Sequence, residues 1–178
     1  MLLGDGYEYL IPVAPTVSHD RRDQMGSHAR SSSFHLVEDA RAALMHSRAA
    51  VVASGTATVQ AAVIGTPFVV VYRVSDLTFR MAKALVKYPP EIPAEVDEHG
   101  NLPIAMVNLI AKRRVVPELL QDQFTGANVA AALKPLLAET PQREEQIEAL
   151  AEVRRRLLSP TNRTAIESLR DAVLEVLP

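Results

Sequence analysis

The sequence predicts an α/β domain in which a parallel sheet is covered by helices on both faces. Three observations predict it. Ala49–Ala53 and Pro67–Tyr72 are short, apolar and rich in β-branched residues, as buried parallel strands are. Each is followed at once by a helical pattern, so strand and helix alternate. The turn between the first strand and its helix, Ser54-Gly55-Thr56, is built of small residues. Ligands of such sheets sit outside the carboxyl ends of the strands, and this turn lies at one of them.

In chain order, Tyr7–Val13 reads as a short strand, broken by Pro12 and Pro15. Residues 18–33 are polar and aperiodic, which predicts a loop or a poorly formed helix. Phe34–Val37 is a brief strand. Glu38–Ser47 is a helix with Ala40, Ala43, Leu44 and Ser47 on one face. Thr56–Ile64 is a helix stopped by Gly65, a good residue just past a helix end. Ser75 caps a helix over Asp76–Lys87 whose inner face is expected to be Leu77, Met81, Ala84 and Leu85.

Tyr88–Pro103 carries four prolines and four acids and must be a loop. Asn108–Ala111 begins another element, and Pro117–Leu120 is expected to open a short helix. Thr125 caps a helix through Leu133, kinked or ended by Pro135. Thr140-Pro141, a cap followed by proline at the first helical position, opens a charged helix to about Leu158. Ser159-Pro160 repeats the device, and Ile166, Leu169, Val173 and Leu177 form a narrow apolar stripe on the last helix.

Composition narrows the function classes. A chain of 178 residues, 48% hydrophobic and 22% charged, is long enough and apolar enough to bury a core. A net charge of −2 argues against a general nucleic-acid binder. No apolar run approaches the ~20 residues that span a bilayer, and the first ten residues lack the basic start and apolar stretch of a signal peptide. There is no Cys, so no disulfide framework or thiolate metal site. The five His are scattered without metal-ligand spacing. A cytoplasmic location is the simplest reading.

Ser54, Gly55 and Thr56 offer two readings. A helix N-terminus presents free N–H groups and a positive dipole end, Gly55 permits close backbone approach, and the hydroxyls add donors, all of which suit a phosphate. The plainer reading is an ordinary strand–turn–helix joint capped by Thr56.

Read together, the motifs SGTAT (54–58), GTPFVVVYR (65–73), VNLIA (107–111) and VVPELLQ (115–121), in that order, resemble the C-terminal half of the lipid-A-disaccharide synthase family. IPVAPTV (11–17) fits the same family just upstream. The resemblance covers most of the chain and is weakest at 18–33, 88–105 and the last 35 or so residues. It implies a Rossmann-like domain over residues 1–139, corresponding to the C-terminal domain of a two-domain GT-B glycosyltransferase, with an insertion at 88–105 and a helical extension over 140–178. It implies inverting transfer of diacylglucosamine from UDP to a diacylglucosamine 1-phosphate lipid, in lipid A biosynthesis at the inner face of the inner membrane. The family's chain is about twice as long, so the sequence reads as a fragment or a split product. Neither a cofactor nor a metal is implied.

The resemblance also implies roles. Ser54, Gly55 and Thr56 would hold the UDP diphosphate. Gln60 is a departure, because relatives commonly carry Glu there for the ribose hydroxyls; Gln keeps an acceptor but lacks the charge. Asn108 would meet a sugar or phosphate oxygen, and Glu118 a ribose hydroxyl, unless Glu118 merely favours a helix N-terminus by its charge. Gln121 belongs to the same motif. Arg73 follows the PFVVVY strand and would neutralise a phosphate, unless it forms a rim ion pair. Lys112-Arg113-Arg114 reads as a run that contacts phosphates or an anionic leaflet or, chiefly, as a solvated loop. No residue suggests itself as the general base, which the family carries in its other half together with the lipid-binding surface. The expected partners are UDP-diacylglucosamine, the lipid monosaccharide 1-phosphate, and the other half or a second protomer; peripheral membrane contact is expected and nucleic acid is not. The rival readings are another UDP-sugar GT-B enzyme and a non-catalytic UDP-sugar-binding or assembly module.

Overall fold

The computed structural model describes residues 3, 6–28, 33–85, 88, 90, 96–157 and 165–176. The strands are β1 (Tyr9–Pro12), β2 (Phe34–Val37), β3 (Ala50–Ala53), β4 (Phe68–Tyr72) and β5 (Glu118–Leu120). The helices are α1 (His19–His28), α2 (Ala40–His46), α3 (Thr56–Ile64), α4 (Asp76–Leu85), α5 (Met106–Ala111), α6 (Gly126–Leu137), α7 (Pro141–Leu157) and α8 (Ala165–Val176). A single 3₁₀ turn, Gln121–Gln123, follows β5. All pairings are parallel, so the α/β class holds, but the strands form two sheets: β1 with β2, and β3-β4-β5.

The apolar run of β4 explains the three-stranded layer. Phe68, Val69, Val70 and Val71 are all buried, as a central strand covered on both faces requires. Successive side chains alternate between the faces. Phe68 and Val70 join Ala61 and Ala62 of α3, Val107 and Ala111 of α5, and Ala149, Leu150 and Val153 of α7 in one core. Val69 joins Leu133 and Leu136 of α6 in the other. The helix α7 is therefore a wall of the same core, and Gln146 ties it to the sheet: its buried carbonyl accepts the Phe68 N–H at 2.8 Å. At the same end Arg143 donates to the Arg48 and Leu136 carbonyls.

Three caps are where the sequence placed them. Thr125 and Thr140 accept the N–H groups of Asn128 and Arg143, each at 3.2 Å, and Ser75 accepts that of Thr78 at 3.1 Å. Gly65 closes α3 at φ 91°, a left-handed conformation that glycine adopts without steric cost. Asp39 caps α2 by accepting from Arg41 and Ala42, so that helix begins two residues after Glu38.

Two open readings resolve and two expectations need correction. Residues 19–28 are helical despite having no apolar stripe. Pro135 lies inside α6, which continues to Leu137; the carbonyl of Pro135 accepts the Thr140 hydroxyl instead. The segment after Pro117 is a strand, not a helix: Val70 donates to the Pro117 carbonyl, and Glu118 pairs in register with Val70. The apolar stripe of α4 does not face inward. Leu77, Met81, Ala84 and Leu85 are all exposed, and no residue of α4 is buried. On α8, Ile166, Leu169 and Val173 are exposed as well. Lys87, Leu158, Ser159-Pro160 and Leu177 lie outside the described residues.

Candidate functional site

The carboxyl ends of β3, β4 and β5 bring one group of candidates together. Ala53 pairs with Val71, and Tyr72 with Leu120. Gly55, Arg73 and Gln121 each follow one of these strand ends within two residues. Ser54 remains bonded to the sheet through its N–H, which donates to the Val71 carbonyl at 3.0 Å. Gly55 then turns the chain at φ 148° and ψ −162°, a region reserved almost wholly for glycine. A Cβ added there would meet nothing within 4 Å. Backbone conformation, not crowding, is what requires glycine at this point.

No side chain caps α3. Thr56 is its first helical residue rather than its cap, so the plainer reading of the turn does not hold in that form. The buried Thr58 hydroxyl donates back to the Gly55 carbonyl at 2.7 Å and fixes the turn from below. The Thr58 N–H is taken by the Gly55 carbonyl at 3.1 Å, whereas those of Thr56 and Ala57 have no intrahelical acceptor, and both residues are exposed. Free N–H groups at a helix start on a strand's carboxyl end are an arrangement that suits an anion. Gln60 lies one turn further along α3 and is exposed.

Arg73 and Gln121 are engaged with each other. The Arg73 guanidinium donates to the Gln121 carbonyl at 3.0 Å and to the Phe124 carbonyl at 3.2 Å, and lies 5.6 Å over the Phe124 ring. The Gln121 side chain accepts from the Val74 N–H and donates to the Val74 carbonyl, both at 2.9 Å. It also donates to Asp76 at 3.3 Å. Gln121 itself has φ 49°, an uncommon value for a residue with a side chain. These bonds hold the β5–α6 turn against the β4–α4 turn. A groove of about 300 Å³ opens beside them, lined by Asp76, Arg80, His99, Asn101, Gln121 and Gln123 among others. Sequence reading did not single out Arg80, His99 or Gln123.

Asn108 and Glu118 do not reach this edge. Their side chains are buried and bonded to each other: the Asn108 amide donates to Glu118 Oε1 at 2.7 Å. Asn108 also donates to the Val116 carbonyl and accepts from the Val115 and Val116 N–H groups, which uses its whole bonding capacity. Glu118 accepts from the Ile104 and Ala105 N–H groups at 3.0 and 2.9 Å, and pairs with Arg114 at 3.5 Å. Glu118 thus sits at the N-terminus of α5, where helix dipole and free N–H groups favour a carboxylate. Its negative charge also acts on Tyr88, whose hydroxyl pKa is raised first by burial and then by Glu118, with Arg114 opposing. The basic run is likewise committed in part: Arg113 bonds Glu152 of α7 at 3.1 Å, and Arg114 donates to the Asn101 carbonyl at 2.6 Å.

Among the described residues no three His, Asp or Glu side chains gather as metal ligands. Among those residues, too, no helix is long and apolar enough to cross a membrane.

Comparison with known proteins gives this geometry a context. The family model for lipid-A-disaccharide synthetase matches residues 3–173. The chain is 44% identical over 171 residues to the lipid-A-disaccharide synthase of Acidobacterium capsulatum, covering 89% of this chain and 40% of the relative. It is 44% identical over 176 residues to that of Koribacter versatilis, covering 98% and 43%. It is 36% identical over 181 residues to that of Erwinia tasmaniensis, covering 99% and 43%. The chain thus spans about two-fifths of the length of these relatives. With the model matching nearly end to end, the chain belongs to the lipid-A-disaccharide synthetase family.

Proposed function

We propose that this chain supplies the UDP-binding part of a lipid-A-disaccharide synthase, a glycosyltransferase that moves diacylglucosamine from UDP to a diacylglucosamine 1-phosphate lipid with inversion. The observation that carries the reading is the uncapped N-terminus of α3 behind Gly55, in a chain of this family. Its free N–H groups and dipole suit a diphosphate without a metal. Ser54 and Thr56 add hydroxyls beside it, and Gln60 is one exposed turn away for a ribose hydroxyl. Arg73 and Gln121 fix the height of the neighbouring strand ends. The role of Asn108 and Glu118 is to position the chain around α5 rather than to touch the nucleotide, because their polar atoms are spent within the protein.

Inverting transfer also needs a base that reaches the acceptor hydroxyl. We assign that base to the portion of the relatives that the alignment does not reach. Its lipid substrates support our assigning the reaction to the inner face of the inner membrane, with the protein in peripheral contact.

The test is calorimetric titration of UDP, with ADP as control. Binding of UDP that survives chelator and is lost in Gly55→Val supports the reading. Equal binding by Gly55→Val puts the diphosphate elsewhere. Disaccharide synthesis by the chain alone would show that the base is within it.

A further inference from the structure

A cleft of about 460 Å³ opens at the amino end of β4, between α2, the turn from α3 into β4, and α7. Its volume is that of a small-molecule site. Val63 and Ile64, the last apolar residues of α3, line it. The length of α3, roughly 13 Å, therefore separates it from the helix start behind Gly55.

The charge of the cleft has one sign. Arg41 of α2 and Arg143 and Arg154 of α7 line it, and its described lining residues include no Asp or Glu. Arg41 and Arg154 are exposed, and among the described residues neither guanidinium has a hydrogen bond or an ion pair. Arg143 is fixed instead, donating to the Arg48 and Leu136 carbonyls at 2.7 and 2.6 Å. The nearest acid to it, Glu139, lies 4.0 Å away and is already paired with Arg48, so one carboxylate serves two guanidiniums. Burial and then Arg48 push the Arg143 pKa down against the opposing pull of Glu139, the mark of a positive field. The carboxyl end of α3 contributes about half a negative charge, which is small beside three guanidiniums. The chain as a whole carries −2, so this excess is local and not part of a general basic surface.

The spacing narrows the ligand. Arg143 and Arg154 lie on one face of α7, three turns and about 16 Å apart along its axis. A compact anion with a single charged group does not serve both ends. Linked phosphates present several oxygens in a row, each able to accept from a planar guanidinium fork, whereas a carboxylate offers two.

We propose that this cleft is a second binding site, for a soluble, multiply charged phosphate compound, with Arg41 and Arg154 as its free donors and Arg143 as its fixed end. The site is distinct from the proposed nucleotide site and does not depend on it.

The probe is inorganic tripolyphosphate, titrated calorimetrically into the full chain with and without excess UDP. One saturable site is expected, unaffected by UDP and weakened by salt. Orthophosphate should bind it more weakly. Arg41→Gln with Arg154→Gln should weaken tripolyphosphate binding at least about tenfold and leave UDP affinity and melting temperature unchanged. The single changes, each expected to weaken binding severalfold, repeat the test in chains with one alteration. Tripolyphosphate affinity unchanged in these variants overturns the proposal, and so does the absence of a saturable site. Loss of binding when UDP is present would put the anion at the start of α3 and overturns it as well. Citrate, with comparable charge on carboxylates, should bind less well; equal binding would sink the assignment to phosphate.

Discussion

Arg73 holds Gln121 by its backbone carbonyl, while the side chain of Gln121 brackets the backbone of Val74, the residue after Arg73. Each residue thus fastens the other's strand end. The left-handed backbone of Gln121 is held in place by this exchange.

Arg73→Lys should therefore lower stability by about 1 kcal/mol, because a lysine cannot fork to two carbonyls or stack on Phe124. The site is exposed, and solvent screening keeps the effect at that modest size. Urea denaturation reads it. A large loss of UDP affinity at unchanged stability would show instead that the guanidinium leaves the turn to meet a ligand.

Glu118→Ala should be far more damaging. It strips the acceptor from the Ile104 and Ala105 N–H groups and from the buried Asn108 amide in one step. A loss on the order of 3 kcal/mol or more is expected, as for other broken buried charge networks. Asn108→Ala in combination should add less than its separate cost, since the two share one network. Wild-type stability in Glu118→Ala, with UDP binding lost, would return the carboxylate to the ligand.

Gly55→Ala tests conformation apart from space. The added methyl meets nothing, so any cost comes from forcing a side chain into the glycine region. About 1–3 kcal/mol of destabilisation is expected, or a relaxed turn that displaces the first N–H groups of α3. A neutral substitution, by thermal melting and UDP titration together, would mean the turn is not held as described.

These sites show what the sequence could and could not reveal. The buried runs of β3 and β4, the bounds of α3 and the caps at Ser75, Thr125 and Thr140 follow from local chemistry, and local chemistry is legible. Strand β5 was hidden because Pro117 before Glu118 imitates the start of a helix, and only the pairing with Val70 decides otherwise. The fate of Glu118 was hidden for the same reason: its partners at 104, 105 and 108 are brought to it by the fold. Periodicity showed that one side of α4 is apolar, but not that this side faces away from the core.

The loop over 97–101 gives a pH prediction. Burial raises the Asp97 pKa, but the N–H groups of Asn101 and His99 and the charge of Arg114 outweigh it, so the carboxyl is held below its ordinary value. A depressed folded pKa means the stabilisation is present above the unfolded value and lost as pH falls through the folded one. The loop should therefore stay closed through neutral and mildly acidic pH and open only below the ordinary carboxylate range. The amide resonances of His99 and Asn101 should titrate together there, and not at all in Asp97→Asn. A midpoint above the ordinary value would show that burial prevails.

The C-terminal stripe carries the last prediction. Ile166, Leu169, Val173 and Leu174 are exposed along α8, an apolar surface too continuous to remain in water at high concentration. Its acids turn it away from anionic lipid, so the fitting partner is protein: a second copy of this chain, or the region of sequence present in the longer relatives. With no such region supplied, the chain should associate in a concentration-dependent way. Exchange of an identical terminal helix between protomers is a low-cost route to that dimer. Leu169→Glu with Val173→Glu adds two charges to the stripe and should leave a monomer in sedimentation analysis. A monomer at high concentration in the unaltered chain, with α8 protected from hydrogen exchange, would mean that the stripe folds back onto its own domain.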